Sequence, residues 1–330
     1  MKILIVKMSA AGDLIHTFPV VSYLRQRFPS AEIDWIVEAS LTEIIEAHPH
    51  VNRVLTVESK KWLRSCTHWQ EIKAFRASLH QSVYDVVFDL QGNIKSAMIL
   101  AQVRAKIKVG FGWKTLSEWP NALFTTQKIN PPQGRNIRED YLSIVQSYFK
   151  DENFFPIEPI KLRIHDSEQP LIKAFPSGGT MVCPGTAWPN KQLSYEQIHA
   201  FLKILGKSFY IFIWGNQKEK EISMRLVKNF SGSLVLERYR LPVLQHMMAK
   251  SLCVIAMDSL PLHLCGTTQT PTIGFFGPSL AKKYGPIGEM HRKIQGDCPY
   301  KIKFEKRCPK LRTCKTGACL KTLVIDETLI

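Results

Sequence analysis

Four short stretches of this sequence place polar side chains directly after apolar runs, where a parallel α/β sheet exposes the loops that bind ligands. In the first, Asp13 follows the run KILIV through Lys7-Met8-Ser9-Ala10-Ala11-Gly12. A carboxylate there can take the proton of a bound hydroxyl, and the same spacing also suits the N-cap of a helix. The loop lacks G-x-G-x-x-G, so it carries no dinucleotide fingerprint. In the second, Pro184-Gly185-Thr186-Ala187-Trp188-Pro189-Asn190-Lys191 offers backbone amides, the Thr186 hydroxyl and the Lys191 ammonium to a diphosphate. It is not a Walker A loop, and taken alone it also reads as a solvated Pro-rich turn. The third, Trp214-Gly215-Asn216-Gln217-Lys218-Glu219, puts an acid where ribose hydroxyls could donate to it, or where a first-turn residue meets the helix dipole. The fourth, Asp258-Ser259-Leu260-Pro261-Leu262-His263, follows CVIAM and opens a helix. Asp258 is expected to cap that helix and His263 to reach the same side, beside amides that favour an anion.

A different chemistry is offered near the end of the chain. Cys298, Cys308, Cys314 and Cys319 could hold a structural zinc or iron through four thiolates. The nine- and five-residue gaps between the first three are long for a metal knuckle, and free thiols account for them equally. The same region concentrates charge: eleven Lys/Arg against three acids lie between Lys282 and Lys315, about half of the net +16. Such a surplus suits an acidic partner, whether nucleic acid, anionic lipid or a phosphorylated glycan. The remaining cysteines are scattered through apolar segments, which suits a reducing compartment.

These residues must be positioned by a folded core, and the composition supplies one. With 45% hydrophobic and 22% charged residues in 330, neither disorder nor a disulfide-dependent miniprotein is plausible. No apolar run approaches bilayer length, and the N-terminus lacks a secretory h-region, so the chain is expected to be cytoplasmic. Continuous apolar runs at 2–6, 33–37, 53–57, 84–89 and near 106–110 alternate with helical periodicity, as in a doubly wound parallel sheet. A Pro-rich segment without long periodicity follows. A second alternating series then begins, with strands at 180–183, 208–214, 234–236, 253–257 and 272–276. The expected architecture is α/β, with two Rossmann-like domains at 1–155 and 156–330 facing across a cleft.

Taken together the motifs resemble glycosyltransferase family 9, the heptosyltransferases. The likeness rests on Lys7 to Pro19 with its Gly12-Asp13 and His16-Thr17, on Asp89-Leu90-Gln91-Gly92-Asn93 with Lys95-Ser96, on Pro184-Gly185-Thr186 with Lys191, on Trp214-Gly215, and on Asp258-Ser259 with His263 before Phe276-Gly277-Pro278. The resemblance implies a GT-B fold and an inverting transfer that needs no metal or other cofactor. The donor it implies is ADP-L-glycero-β-D-manno-heptose, and the acceptor is the Kdo region of the lipopolysaccharide inner core. It assigns Asp13 as catalytic base, and it places Thr186, Ala187, Lys191, Glu219, Asp258, Ser259, Leu260 and His263 at the donor. Leu260 stands where the family normally has Gly, so its side chain narrows that pocket.

For the acceptor, Lys60, Lys61 and Arg64 resemble a basic-aromatic segment that faces Kdo and lipid A phosphates, and Gln91, Lys95 and Trp113 lie in acceptor-side loops. Work at the inner face of the bacterial inner membrane follows, as peripheral contact with an anionic glycolipid, Kdo-lipid A, and no nucleic acid. The competing readings are transfer to a later core heptose or a protein Ser, and a nucleic-acid-binding protein using the Cys-rich end as a zinc module.

Overall fold

The structure is a computed structural model that describes residues 1–62, 66–207 and 209–329. The chain divides into two compact units, Met1–Glu158 and Pro159–Ile330.

The first unit is built on strands β1 (Lys2–Val6), β2 (Glu32–Glu38), β3 (Arg53–Val57), β4 (Tyr84–Asp89), β5 (Ala105–Phe111) and β6 (Gln127–Ile129). They form one parallel sheet in the order β3-β2-β1-β4-β5-β6. The continuous burial of Ile3 to Val6 shows why KILIV is not an alternating strand: helices cover both faces of the sheet. One face packs Leu4, Val6, Ile36, Val57, Val87 and Leu100 into a single cluster.

The second unit uses β7 (Thr180–Cys183), β8 (Tyr210–Phe212), β9 (Leu234–Val235), β10 (Cys253–Met257), β11 (Thr272–Phe276) and β12 (His291–Gln295). Their order, β12-β11-β10-β7-β8-β9, is again all parallel and repeats the topology of the first sheet read from the opposite edge. In each sheet the first strand of the unit lies between its second and its fourth. Each unit therefore has one topological switch point, β1/β4 in the first and β7/β10 in the second, and α/β sheets bind ligands outside the carboxyl ends of such strands.

Two strands are absent from the pattern of apolar runs, and both lie at sheet edges. β6 has only three residues, and β12 reads HRKIQ with His291 and Ile294 alone turned inward. An edge strand needs little apolar surface, so its pairing is invisible to hydropathy.

The loop after β4 is shaped by a buried acid. Asp89 is fully buried, and its carboxylate accepts hydrogen bonds from the Gln91 and Gly92 amides at 3.0 and 3.1 Å, the Ser96 hydroxyl at 2.9 Å and the Asn121 amide at 2.5 Å. Burial pushes its carboxyl above the ordinary value, and these neutral donors offset only part of that. Asn93 caps the helix Ile94–Leu100 by accepting from the Ser96 amide. Gly92 sits at φ +68°, and a Cβ there would stand 2.8 Å from the Phe111 ring. Both facts require Gly. Gly92→Ala is therefore expected to destabilise the fold by about 1–2 kcal/mol, the cost of a left-handed side-chain residue. A thermal midpoint within a degree of the parent would contradict this.

Candidate active site

In the second unit Lys191 meets two residues far from it in sequence, Asp258 and His263, at the switch point. The Lys191 ammonium donates to Asp258 Oδ2 at 2.5 Å, and His263 Nε2 lies 3.2 Å from Asp258 Oδ1. All three are buried. Burial by itself would raise the Asp258 carboxyl, but the hydrogen bond from His263 and the Lys191 charge outweigh it and hold the group well below the usual carboxylate range. Asp258 is thus an ionised anchor that fixes the cation of the β7 loop over the end of β10.

This corrects the expectation that Asp258 caps the following helix. The N-cap of Leu260–Cys265 is Ser259, whose hydroxyl donates back to the Met257 carbonyl at 3.1 Å. Leu260 is the first residue of that helix and Pro261 the second, so one amide of the first turn has no hydrogen to offer.

Thr186 and Ala187 lie on the same loop as Lys191, Thr186 partly exposed and Ala187 exposed. Glu219 closes one side of this loop. Its carboxylate accepts from the Gly215 amide at 2.6 Å and from the Asn216 side chain at 2.7 Å, while Asn216 caps the helix Gln217–Leu226. A Cβ on Gly185 would come within 2.0 Å of Glu219 Cδ, so Gly185 is the residue that lets the acid lie against the β7 loop.

The loop is braced from behind by the Cys-rich segment. Asn190 donates to the carbonyls of Leu311 at 2.6 Å and Cys314 at 3.3 Å. Gln197 reaches the carbonyls of Leu320 and Leu323 at 2.8 and 2.9 Å. Leu320 is fully buried in the second unit's core. Its burial contributes about 1.5–3 kcal/mol, against about 1–2 kcal/mol for fixing each residue's backbone. The hydrogen bonds from Asn190 and Gln197 add to this apolar anchor.

Cys298, Cys308, Cys314 and Cys319 all line one small cavity of about 30 Å³. Burial, with the neighbouring Cys298 and Cys314, pushes the Cys319 thiol up to about 11, whereas the Thr316 hydroxyl lowers Cys314. All four are free cysteines, and among the described residues no group of three or more His, Cys, Asp or Glu is arranged to hold a metal ion. Thiolates suit zinc or iron in kind.

In the first unit Asp13 is the third residue of the short helix Ala11–Ile15, partly exposed, with Oδ2 accepting from the Ala10 amide at 3.4 Å. Gln91 holds the β1 loop that leads to it: its amide oxygen accepts from the Met8 and Ser9 amides at 3.0 and 3.2 Å. Lys7, which the resemblance included without a role, is buried and donates to the Leu90 carbonyl at 2.8 Å and the Tyr141 hydroxyl at 2.9 Å. Lys95 donates to Ser59, which in turn contacts Glu38, so the ends of β2, β3 and β4 are joined.

The other acceptor-side candidates do not join this network. Lys61 is exposed and held between Glu58 at 2.9 Å and Glu71 at 2.8 Å, and its ammonium together with the Trp62 indole lowers Glu71 to about 2. Trp113 is exposed after β5, with the Lys128 ammonium 5.9 Å from its ring. Arg64 and the side chain of Lys60 lie outside the described residues. No helix among the described residues is long and apolar enough to cross a membrane.

Two parallel-sheet α/β units with their polar residues gathered at the switch points define a GT-B glycosyltransferase, and comparison with known proteins agrees. The model of glycosyltransferase family 9 (heptosyltransferase) matches residues 72–313, and the chain belongs to that family. It is 27% identical to lipopolysaccharide heptosyltransferase 1 of Pseudomonas aeruginosa over 93% of this chain and 87% of the relative. With lipopolysaccharide heptosyltransferase 1 of Escherichia coli K12 the identity is 27% over 88% and 92%. The structure of the E. coli heptosyltransferase WaaC with ADP superposes with a TM-score of 0.77 at 26% identity, covering 90% of this chain and 94% of WaaC.

Removing Lys191 would leave Asp258 buried without its main cation. Lys191→Met is expected to destabilise the protein by about 3–5 kcal/mol, and Lys191→Met/Asp258→Asn by clearly less. The pH dependence has a fixed sign. A depressed carboxyl contributes stability that is present above the unfolded carboxyl's titration, near pH 3.9, and lost as pH falls toward the folded value. Lys191→Met should therefore unfold at a higher pH than the parent. Urea unfolding at neutral and mildly acid pH measures both effects.

Proposed function

We propose that this chain transfers heptose from ADP-L-glycero-β-D-manno-heptose to the Kdo region of the lipopolysaccharide inner core, inverting the anomeric centre. The observation that carries the reading is the buried Lys191–Asp258–His263 cluster at the β7/β10 switch point, in a chain whose structural relative WaaC was solved with ADP and with ADP-2-deoxy-2-fluoro heptose. In this reading Lys191 neutralises the diphosphate, with Thr186, Ala187, Ser259 and Leu260 around it, Asp258 and His263 hold that end of the site, and Glu219 accepts from the ribose.

Asp13 takes the proton of the acceptor hydroxyl as its oxygen bonds to the anomeric carbon. The bond from that carbon to the phosphate oxygen breaks, and ADP leaves against the Lys191 charge. The cation that assists departure is supplied by the protein, so the transfer uses no metal. Gln91 positions the Asp13 loop, and Lys95 and Trp113 meet the anionic acceptor. The enzyme works on a lipid-anchored substrate at the inner face of the bacterial inner membrane.

The proposal predicts that Asp13→Asn loses about 10²-fold or more in turnover, the contribution of one general base, while ADP affinity stays within a few-fold. Turnover and calorimetric ADP binding measured on the same preparation decide it, and retained turnover would remove Asp13 from the mechanism. Transfer assays with Kdo-lipid A, heptosylated core and a Ser-bearing protein separate the acceptors. Product from either of the last two alone would overturn the Kdo assignment.

A further inference from the structure

The first unit exposes large apolar side chains where a soluble domain ordinarily shows polar ones. Ile94 and Met98, one turn apart on the helix Ile94–Leu100, are exposed, as are Trp119, Leu123 and Phe124 on the turn Trp119–Phe124 and Trp113 on the loop after β5. Trp119 and Leu123 are 68% and 69% exposed, more than any core role allows.

The two elements are fastened to each other. The Ile94 amide donates to the Glu118 carboxylate at 2.8 Å, the Glu118 amide donates to the Gly92 carbonyl at 3.3 Å, and the Asn121 side chain reaches the Asn93 carbonyl at 3.1 Å. Asn121 is also a donor to Asp89, so the turn is built onto the same buried acid that shapes the β4 loop. The apolar side chains thus stand on a rigid platform.

Cations accompany the apolar residues: Lys114 follows Trp113 in the chain and the Lys128 ammonium lies 5.9 Å from the Trp113 ring, while the acid Glu118 is engaged with the Ile94 amide. Exposed Trp and Leu beside lysines match the interface of a bilayer with anionic headgroups, where indole rings settle at headgroup level and cations are attracted. A protein partner of ordinary composition would not call for the lysines.

We propose that Ile94, Met98, Trp119, Leu123 and Phe124 form a membrane-docking surface that inserts at the headgroup level of an anionic bilayer, with Lys114 and Lys128 contacting phosphates. This rests on the reading that the acceptor is lipid-anchored, and it deepens it. The helix that carries Ile94 and Met98 also carries Lys95, so docking brings the acceptor-side loop to the lipid surface from which the glycan projects.

The test uses the full chain and vesicles of phosphatidylcholine with or without phosphatidylglycerol. The parent should co-sediment with the anionic vesicles and far less with the neutral ones. Trp119→Ser and Leu123→Ser should each weaken that binding about tenfold or more, as expected for withdrawing one large apolar side chain from lipid. Turnover on a de-acylated, water-soluble acceptor should be unchanged in both variants.

Vesicle binding unaffected by either substitution would overturn the proposal. So would loss of turnover on the soluble acceptor, or a dimer-to-monomer change on sedimentation with vesicle binding retained, which would assign the patch to a second copy of the chain. Failure of the functional reading looks different: the parent would bind anionic vesicles yet transfer heptose to no lipid-anchored acceptor.

Discussion

The second unit of this protein depends on one carboxylate held between a lysine and a histidine. Asp258 sits just past β10, and Lys191 reaches it from the loop after β7, 67 residues away in sequence. A buried ion pair of this kind adds little net stability relative to an apolar substitute. Its consequence is positional: the cation of a Pro-rich loop is fixed at the switch point of the sheet, where a free lysine would spread over many rotamers. Bracing by Asn190 on the Cys-rich segment fixes the other side of the same loop. The C-terminal segment is in this sense part of what positions Lys191.

The two units solve the same problem with opposite electrostatics. Asp89 closes β4 in the first sheet, and Asp258 follows β10 in the second, so each buried acid stands at the strand across the switch point from its unit's first strand. Asp89 is surrounded by neutral amides and a hydroxyl, and its carboxyl is raised. Asp258 has a lysine and a histidine, and its carboxyl is depressed. Neutral donors suit a loop that has only to hold its shape and present Gln91 to the β1 backbone. Cationic partners keep the positive charge of the β7 loop in place at the switch point.

Much of this is legible in the amino-acid sequence. Strands buried on both faces leave continuous apolar runs, and the polar stretches after KILIV, YDVVFD, TMVC and CVIAM fall at the two switch points. What could not be read was set by long-range contacts. Asp258 looks like a cap because caps are local, but Lys191 and His263 capture its side chain. The closeness of Gly185 and Glu219 is likewise a tertiary fact. β6 and β12 escape because edge strands need few apolar residues. Trp119 and Leu123 escape for the opposite reason: apolar residues at helical spacing read as core, and only exposure shows otherwise.

The central claim, that Lys191 held by Asp258 is the cation of a diphosphate site, is tested most directly by calorimetric titration of ADP, AMP and adenosine into the parent and Lys191→Ala proteins at a temperature where both are folded. The account predicts that ADP affinity falls by about ten- to a hundredfold in the variant, the worth of a charge-assisted hydrogen bond. AMP should lose less, and adenosine should bind equally to both. Equal losses for all three ligands, or no loss for ADP, would contradict it.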